Sequence, residues 1–373
     1  MNTSVQDGWA LPWAALRALP GIDGLRGGPL SPLGRIAAPA GAADAEALAS
    51  LLRQADAEAT AGFEALLDPG ANLALWLRDA RGERSIQALW PDPSAAGPGW
   101  TVAPGADGLR LRYPASLDAL ELELLDALAL QLLPESEPLR IALDARQCWA
   151  LLALLDAIGT TAALRLAARQ AGPAPAVGLA EVTAAWEQAK RDRSPGWAVA
   201  LAATLAPAGP PSDFPATLEP ALEALVAAGW LLADGRAGEP RYAPGLLLDA
   251  LAQGLAAASP VFGLVRSERT DHSRIEVLAV IGFRLPDCVA WVDLSALDQD
   301  RAEWLLLGAS SSADLLGTLL APGEPGAPTV LPGAVERILQ ALAAPGVVRV
   351  CPACGATAGT QARYCGQCGA SLA

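Results

Sequence analysis

The sequence predicts an α+β fold. Two stretches of short β-type segments each run into an amphipathic helix, and they flank a middle that is mostly helical. Of 373 residues, 52% are hydrophobic and 18% charged, which is enough apolar surface for two or three cores. The formal net charge is −14.

From the N-terminus, Ala42 to Leu67 carries Leu48, Leu51, Leu52, Ala55, Ala59, Phe63 and Leu66 at helical spacing. Asp68-Pro69-Gly70 ends that pattern. Leu73 to Arg78, Ser85 to Trp90, Trp100 to Ala103 and Leu109 to Tyr113 then read as an antiparallel meander, broken by Arg81-Gly82-Glu83 and by the Pro/Gly-rich loop from Pro91 to Gly99. Ser116 is placed to cap a helix reaching about Leu133, with Leu117, Leu120, Leu124, Leu125 and Leu128 on its inner face. Residues 1–134 form the first expected unit.

The second unit, residues 135–258, opens with a short strand, Leu139 to Leu143. Asp144 caps the helix carrying Cys148, Trp149, Leu152 and Leu155. Helices near Ala180–Lys190, Trp197–Leu205 and Ala216–Ala228 follow. Trp230–Ala233 and Arg241–Ala243 read as strands around the turn Asp234-Gly235-Arg236-Ala237-Gly238. That order resembles a winged helix, which would make the helix from Ala216 to Ala228 the recognition helix.

The third unit, residues 259–343, repeats the meander with Val261–Glu268, Arg274–Phe283, Cys288–Leu294 and Glu303–Leu307, then a helix over Ser312–Leu320. Leu109 to Ser116 and Trp304 to Ser311 both pass from strand through a small-residue turn into a helix. Such junctions look alike without duplication. Gly317 to Pro332 reads as a linker, and Val335, Ile338, Leu339 and Leu342 line a last helix.

The tail, residues 344–373, holds the most specific pattern. Cys351-Pro352-Ala353-Cys354-Gly355 and Cys365-Gly366-Gln367-Cys368-Gly369 are two C-x-x-C-G knuckles. Each turn sets two thiolates on one side, and the glycine frees the backbone to point amides at sulfur. Facing each other, Cys351, Cys354, Cys365 and Cys368 make a closed tetrahedral site for one structural Zn²⁺. The stretch is similar to the short zinc-ribbon domains at the ends of many bacterial proteins. That resemblance covers the tail alone and implies zinc as the cofactor.

His272, the only histidine, lies in the polar turn Arg269 to Arg274 without a ligand spacing. Gly308-Ala309-Ser310-Ser311-Ser312 reads as a helix cap rather than a nucleophile. Lys190 is the only lysine, which excludes a P-loop. Glu121 and Glu123 sit two apart on a helix and face different ways. Cys148 and Cys288 read as buried thiols of a reducing compartment.

Acidity disfavours phosphate backbones and anionic lipid. Met1 to Pro20 does not read as a secretory signal. The longest uncharged stretch, Ser194 to Ser212, carries four prolines, and its apolar part, Trp197 to Ala206, is too short to cross a bilayer. The expectation is a soluble, bacterial, cytoplasmic adaptor or complex subunit without catalysis, whose partners are proteins. The alternative is a transcription-related nucleic-acid-binding protein using winged helix and ribbon; an enzyme with an unrecognised site ranks third. Trp9, Trp13, Trp90 and Trp100 are either partner anchors or packed aromatics, and packing is favoured.

Overall fold

A computed structural model describes residues 9–12, 16, 56–79, 81–91, 99–105, 107–115, 117–169, 176–207, 209–234, 240–245, 260–269, 275–320, 349–350 and 357–358. These residues build an α+β molecule around one ten-stranded antiparallel sheet.

The chain opens with strand β1 (Trp9–Pro12) and helix α1 (Ala57–Leu67). The meander β2 (Ala71–Asp79), β3 (Gly82–Trp90), β4 (Gly99–Gly105) and β5 (Gly108–Ala115) leads into α2 (Leu117–Leu128) and a 3-10 turn at Leu130–Leu132. Leu73, Leu75 and Leu77 of β2 alternate with half-buried residues, the two-residue period of a strand with unequal faces. Strand β6 (Leu139–Leu143) and the long α3 (Ala145–Ala167) follow. Asp144 starts α3 reciprocally: its carboxylate accepts from Gln147 N–H at 2.7 Å, and the Gln147 side chain accepts from Asp144 N–H at 3.0 Å.

Next come β7 (Val177–Gly178), α4 (Leu179–Asp192), α5 (Ala198–Leu205), α6 (Phe214–Ala227), β8 (Leu231–Asp234) and β9 (Arg241–Pro244). The three short strands form a separate sheet in the order β7-β9-β8. Three helices followed by two strands is the order the sequence suggested for residues 178–243; the pairing of β7 with β9 adds a third strand that it did not.

The second meander is β10 (Val261–Arg269), β11 (Ile275–Arg284), β12 (Val289–Asp293) and β13 (Ala302–Leu307), and it ends in α7 (Ala309–Leu320). It does not stand apart from the first. β10 pairs with β2 over eight residues, from Val261↔Arg78 to Glu268↔Ala71, so the stretches expected as the first and third units share one sheet.

The resulting order, β1-β5-β4-β3-β2-β10-β11-β12-β13-β6, is symmetric about the β2–β10 pair. Each half runs strand, helical segment, four-stranded meander, helix. β2 and β10 both have nine residues, and α2 and α7 both have twelve. Helices α2 and α7 cover one face over Leu73, Leu75, Leu77, Leu278, Val280, Trp291 and Leu305. The other face is covered by α1 over the β1–β5 end and by the helices from α3 to α6 over the β10–β13 end.

Three expectations change. Trp9, left between partner anchor and packed aromatic, belongs to edge strand β1, which pairs with β5, and its ring meets Phe63 edge-to-face at 6.2 Å. Helix α7 starts at Ala309 rather than Ser312 and runs through Gly317 to Leu320, so the linker cannot begin at Gly317. And α3 contains a stretch, Ala145–Arg165, long and apolar enough to cross a bilayer, although Arg146 and Asp156 interrupt it as an uncharged run. Every residue from Cys148 to Ile158 is buried, because α4, α5 and α6 pack around that part of α3; burial accounts for the composition of those residues.

Candidate metal centre

Cys351, Cys354, Cys365 and Cys368 lie outside the described residues, as do His272 and Asp271. What is described in the tail is a hairpin. β14 (Arg349–Val350) pairs with β15 (Thr357–Ala358) in antiparallel register, Arg349↔Ala358 and Val350↔Thr357. The segment carrying Cys351 and Cys354 therefore connects two paired strand ends. β14 and β15 form a sheet of their own. Four thiolates in that spacing fit Zn²⁺, which would supply the folding energy of a segment too short for a core, ~10–16 kcal/mol in zinc-finger peptides. Among the described residues, no group of three or more His, Cys, Asp or Glu side chains gathers to hold a metal.

The serines after Gly308 serve the fold. The hydroxyl of Ser310 donates to Glu135 at 2.6 Å, and its N–H also points at that carboxylate. Thus α7 is capped by an acid from the segment just ahead of β6, not by its own serine. Ser312, fully buried, accepts from the Trp291 indole N–H at 3.3 Å and donates to the Leu307 carbonyl at 3.2 Å. Glu121 is buried beside Gly317, while Glu123 accepts from Arg84 at 2.6 Å, so the two diverge. Burial pushes the Cys148 thiol up to about 12, which leaves it protonated and unreactive. Cys288 is half-buried, and burial raises it too.

Sequence reasoning missed Asp156. It sits in the fourth turn of α3, 7% exposed. Its two carboxylate oxygens accept from Ala198 N–H at 2.8 Å and Val199 N–H at 3.0 Å, the open donors at the start of α5. Arg78 of β2 donates to the Gly196 carbonyl at 3.3 Å in the same junction. Burial raises the Asp156 pKa to about 7, against the two backbone donors and the Arg78 charge, which lower it. A single Asp in an apolar helix was the only signal available.

Neither a protein-family model nor a curated protein matches this chain. Its chemistry therefore has to be read from its own residues. The outward positions of α6, which would be the recognition helix, are Pro215, Ala216, Glu219, Pro220, Glu223 and Ala227. No cation occurs on that helix. Trp90 and Trp100 are buried, and Trp100 packs on Tyr113 at 4.6 Å, so both serve the core. Trp13 lies outside the described residues.

Proposed function

We propose that this chain is a non-catalytic cytoplasmic adaptor or complex subunit that binds other proteins. One structural Zn²⁺ on Cys351, Cys354, Cys365 and Cys368 folds its tail. The observation that carries the choice is the outward face of α6: two glutamates and no cation where a DNA-reading helix needs arginine or lysine against phosphate. A net charge of −14 works in the same direction. The β14–β15 hairpin around the first knuckle supports the ribbon.

Affinity purification from the native cell, with the 351–373 tail present and deleted, tests the reading. A defined set of protein partners that shrinks on deletion is expected. Tight, salt-dependent retention of the intact chain on heparin would favour the winged-helix and ribbon alternative instead.

A further inference from the structure

Helices α2 and α7 have twelve residues each but unequal intrinsic strength. Leucine, alanine and glutamate dominate α2, whereas α7 holds three serines, a glycine and a threonine, all weaker helix formers. Thr318 bonds back to the Asp314 carbonyl at 2.9 Å, which loosens a helix slightly further. The sixth residue of α2 is Leu122, 41% exposed; the sixth of α7 is Asp314, 7% exposed. A buried carboxyl needs partners, yet Asp314 Oδ1 makes no hydrogen bond. Neither helix contains a Lys, Arg or His. Glu135 holds Ser310, one turn before Asp314 on the same side of α7. Glu121 of α2 lies beside Gly317. Glu303 of β13 is paired with Arg140, and the 3-10 turn Leu130–Leu132 is uncharged. Arginines reach this layer at other points: Arg266, itself paired with Glu268, at the Leu319 carbonyl, Arg284 at the Leu128 carbonyl, and Arg81 and Arg84 at Asp126 and Glu123. Burial first, and the Glu135 charge second, push the Asp314 carboxyl up to about 6.

We propose that α7 is a pH-sensitive cover of the sheet, closed while the Asp314 carboxyl carries its proton and loosened once it ionises. The neutral carboxyl meets the Glu135 carboxylate without repulsion. The ionised one is a buried charge near a like charge, with no cation paired to it among the described residues, and opening α7 returns it to water. The folded carboxyl, at about 6, binds its proton more tightly than the ordinary 3.8 of the open state. Closure is therefore complete below that ordinary value and weakens as pH rises through about 6. Opening would uncover Trp291, whose indole donates to Ser312 of α7. The cover does not depend on the adaptor reading.

The test is hydrogen exchange of the full chain, read along Ala309–Leu320 and corrected for intrinsic amide rates. In the wild type the opening constant of α7 is expected to rise roughly tenfold or more between about pH 4.5 and about pH 7.5, with a smaller change in the central strands β2 and β10. Asp314→Asn keeps the shape and neutrality of the protonated side chain and should hold the constant within about twofold over the same range. Glu135→Gln removes the like charge but keeps an acceptor for Ser310, so the midpoint of the rise should move to lower pH by roughly half a pH unit or more. A rise that persists in Asp314→Asn, or a midpoint unmoved in Glu135→Gln, would overturn the proposal. An equal rise in β2 and β10 would also overturn it, because the whole molecule and not the cover would then be opening.

Discussion

Asp156 shows how one side chain ties two layers together. Its oxygens hold the first amides of α5, and Arg78 reaches the same loop from β2, in the middle of the sheet. Asp156→Ala removes both acceptors and leaves two buried N–H donors unsatisfied, so a loss of about 2–4 kcal/mol in urea unfolding is expected. The charge acts in a defined direction with pH. A carboxyl whose folded pKa, about 7, lies above its ordinary value of 3.8 binds its proton more tightly when folded. Its stabilising contribution is complete below the unfolded pKa and is lost as pH rises through about 7. The stability of the wild type relative to Asp156→Asn should therefore fall between acidic and mildly alkaline pH. A difference that grows with pH instead would mean the carboxylate is held as an anion by its donors.

Elements depend on such residues through packing. Phe262 of β10 and Trp291 of β12 are not neighbours in the sheet; Gly282 of β11 lies between them, paired with both. The Phe262 ring folds over Gly282 and meets Trp291 edge-to-face at 5.0 Å. A Cβ at Gly282 would sit 1.9 Å from that ring. Gly282→Val should thus destabilise by about 2–4 kcal/mol, combining overpacking with loss of the aromatic pair, and should shift tryptophan fluorescence. Because Trp291 also donates to Ser312, α7 is expected to loosen in the same variant, seen as faster amide exchange along Ala309–Leu320. Most of these elements were readable beforehand. β6 falls on the predicted residues, and α4, α5 and the β8–β9 hairpin start or end within a residue or two, because alternation, helical spacing and turn residues are local properties. The start of α7 was misplaced because its cap, Glu135, lies 175 residues away in sequence from Ser310.

At the scale of the molecule, the tail and the large sheet are joined through the chain alone in strand pairing: β14 and β15 pair with each other and with no other described strand. Chelation of zinc should therefore abolish order around Cys351–Cys368 while leaving the melting temperature of the sheet within about 2 °C. Elemental analysis should find one zinc per chain, and Cys351→Ser/Cys365→Ser should remove it. Collapse of the sheet on chelation, or purified protein without stoichiometric metal, would contradict the ribbon.

Sequence alone determined the α+β class, the two meanders with their closing helices, and the four-cysteine pattern of the tail. Each follows from spacings shorter than about twenty residues, within which side-chain period, capping and metal-ligand geometry act directly. Only the tertiary structure decided that the meanders share one sheet through β2 and β10, that the apolar α3 is wrapped by helices, and that Asp156 and Tyr242 are buried. Those outcomes depend on which strand edges and apolar faces remain open after the local elements form. Eight residues of β10 find β2 across some 190 positions because each meander would otherwise leave a long edge unpaired.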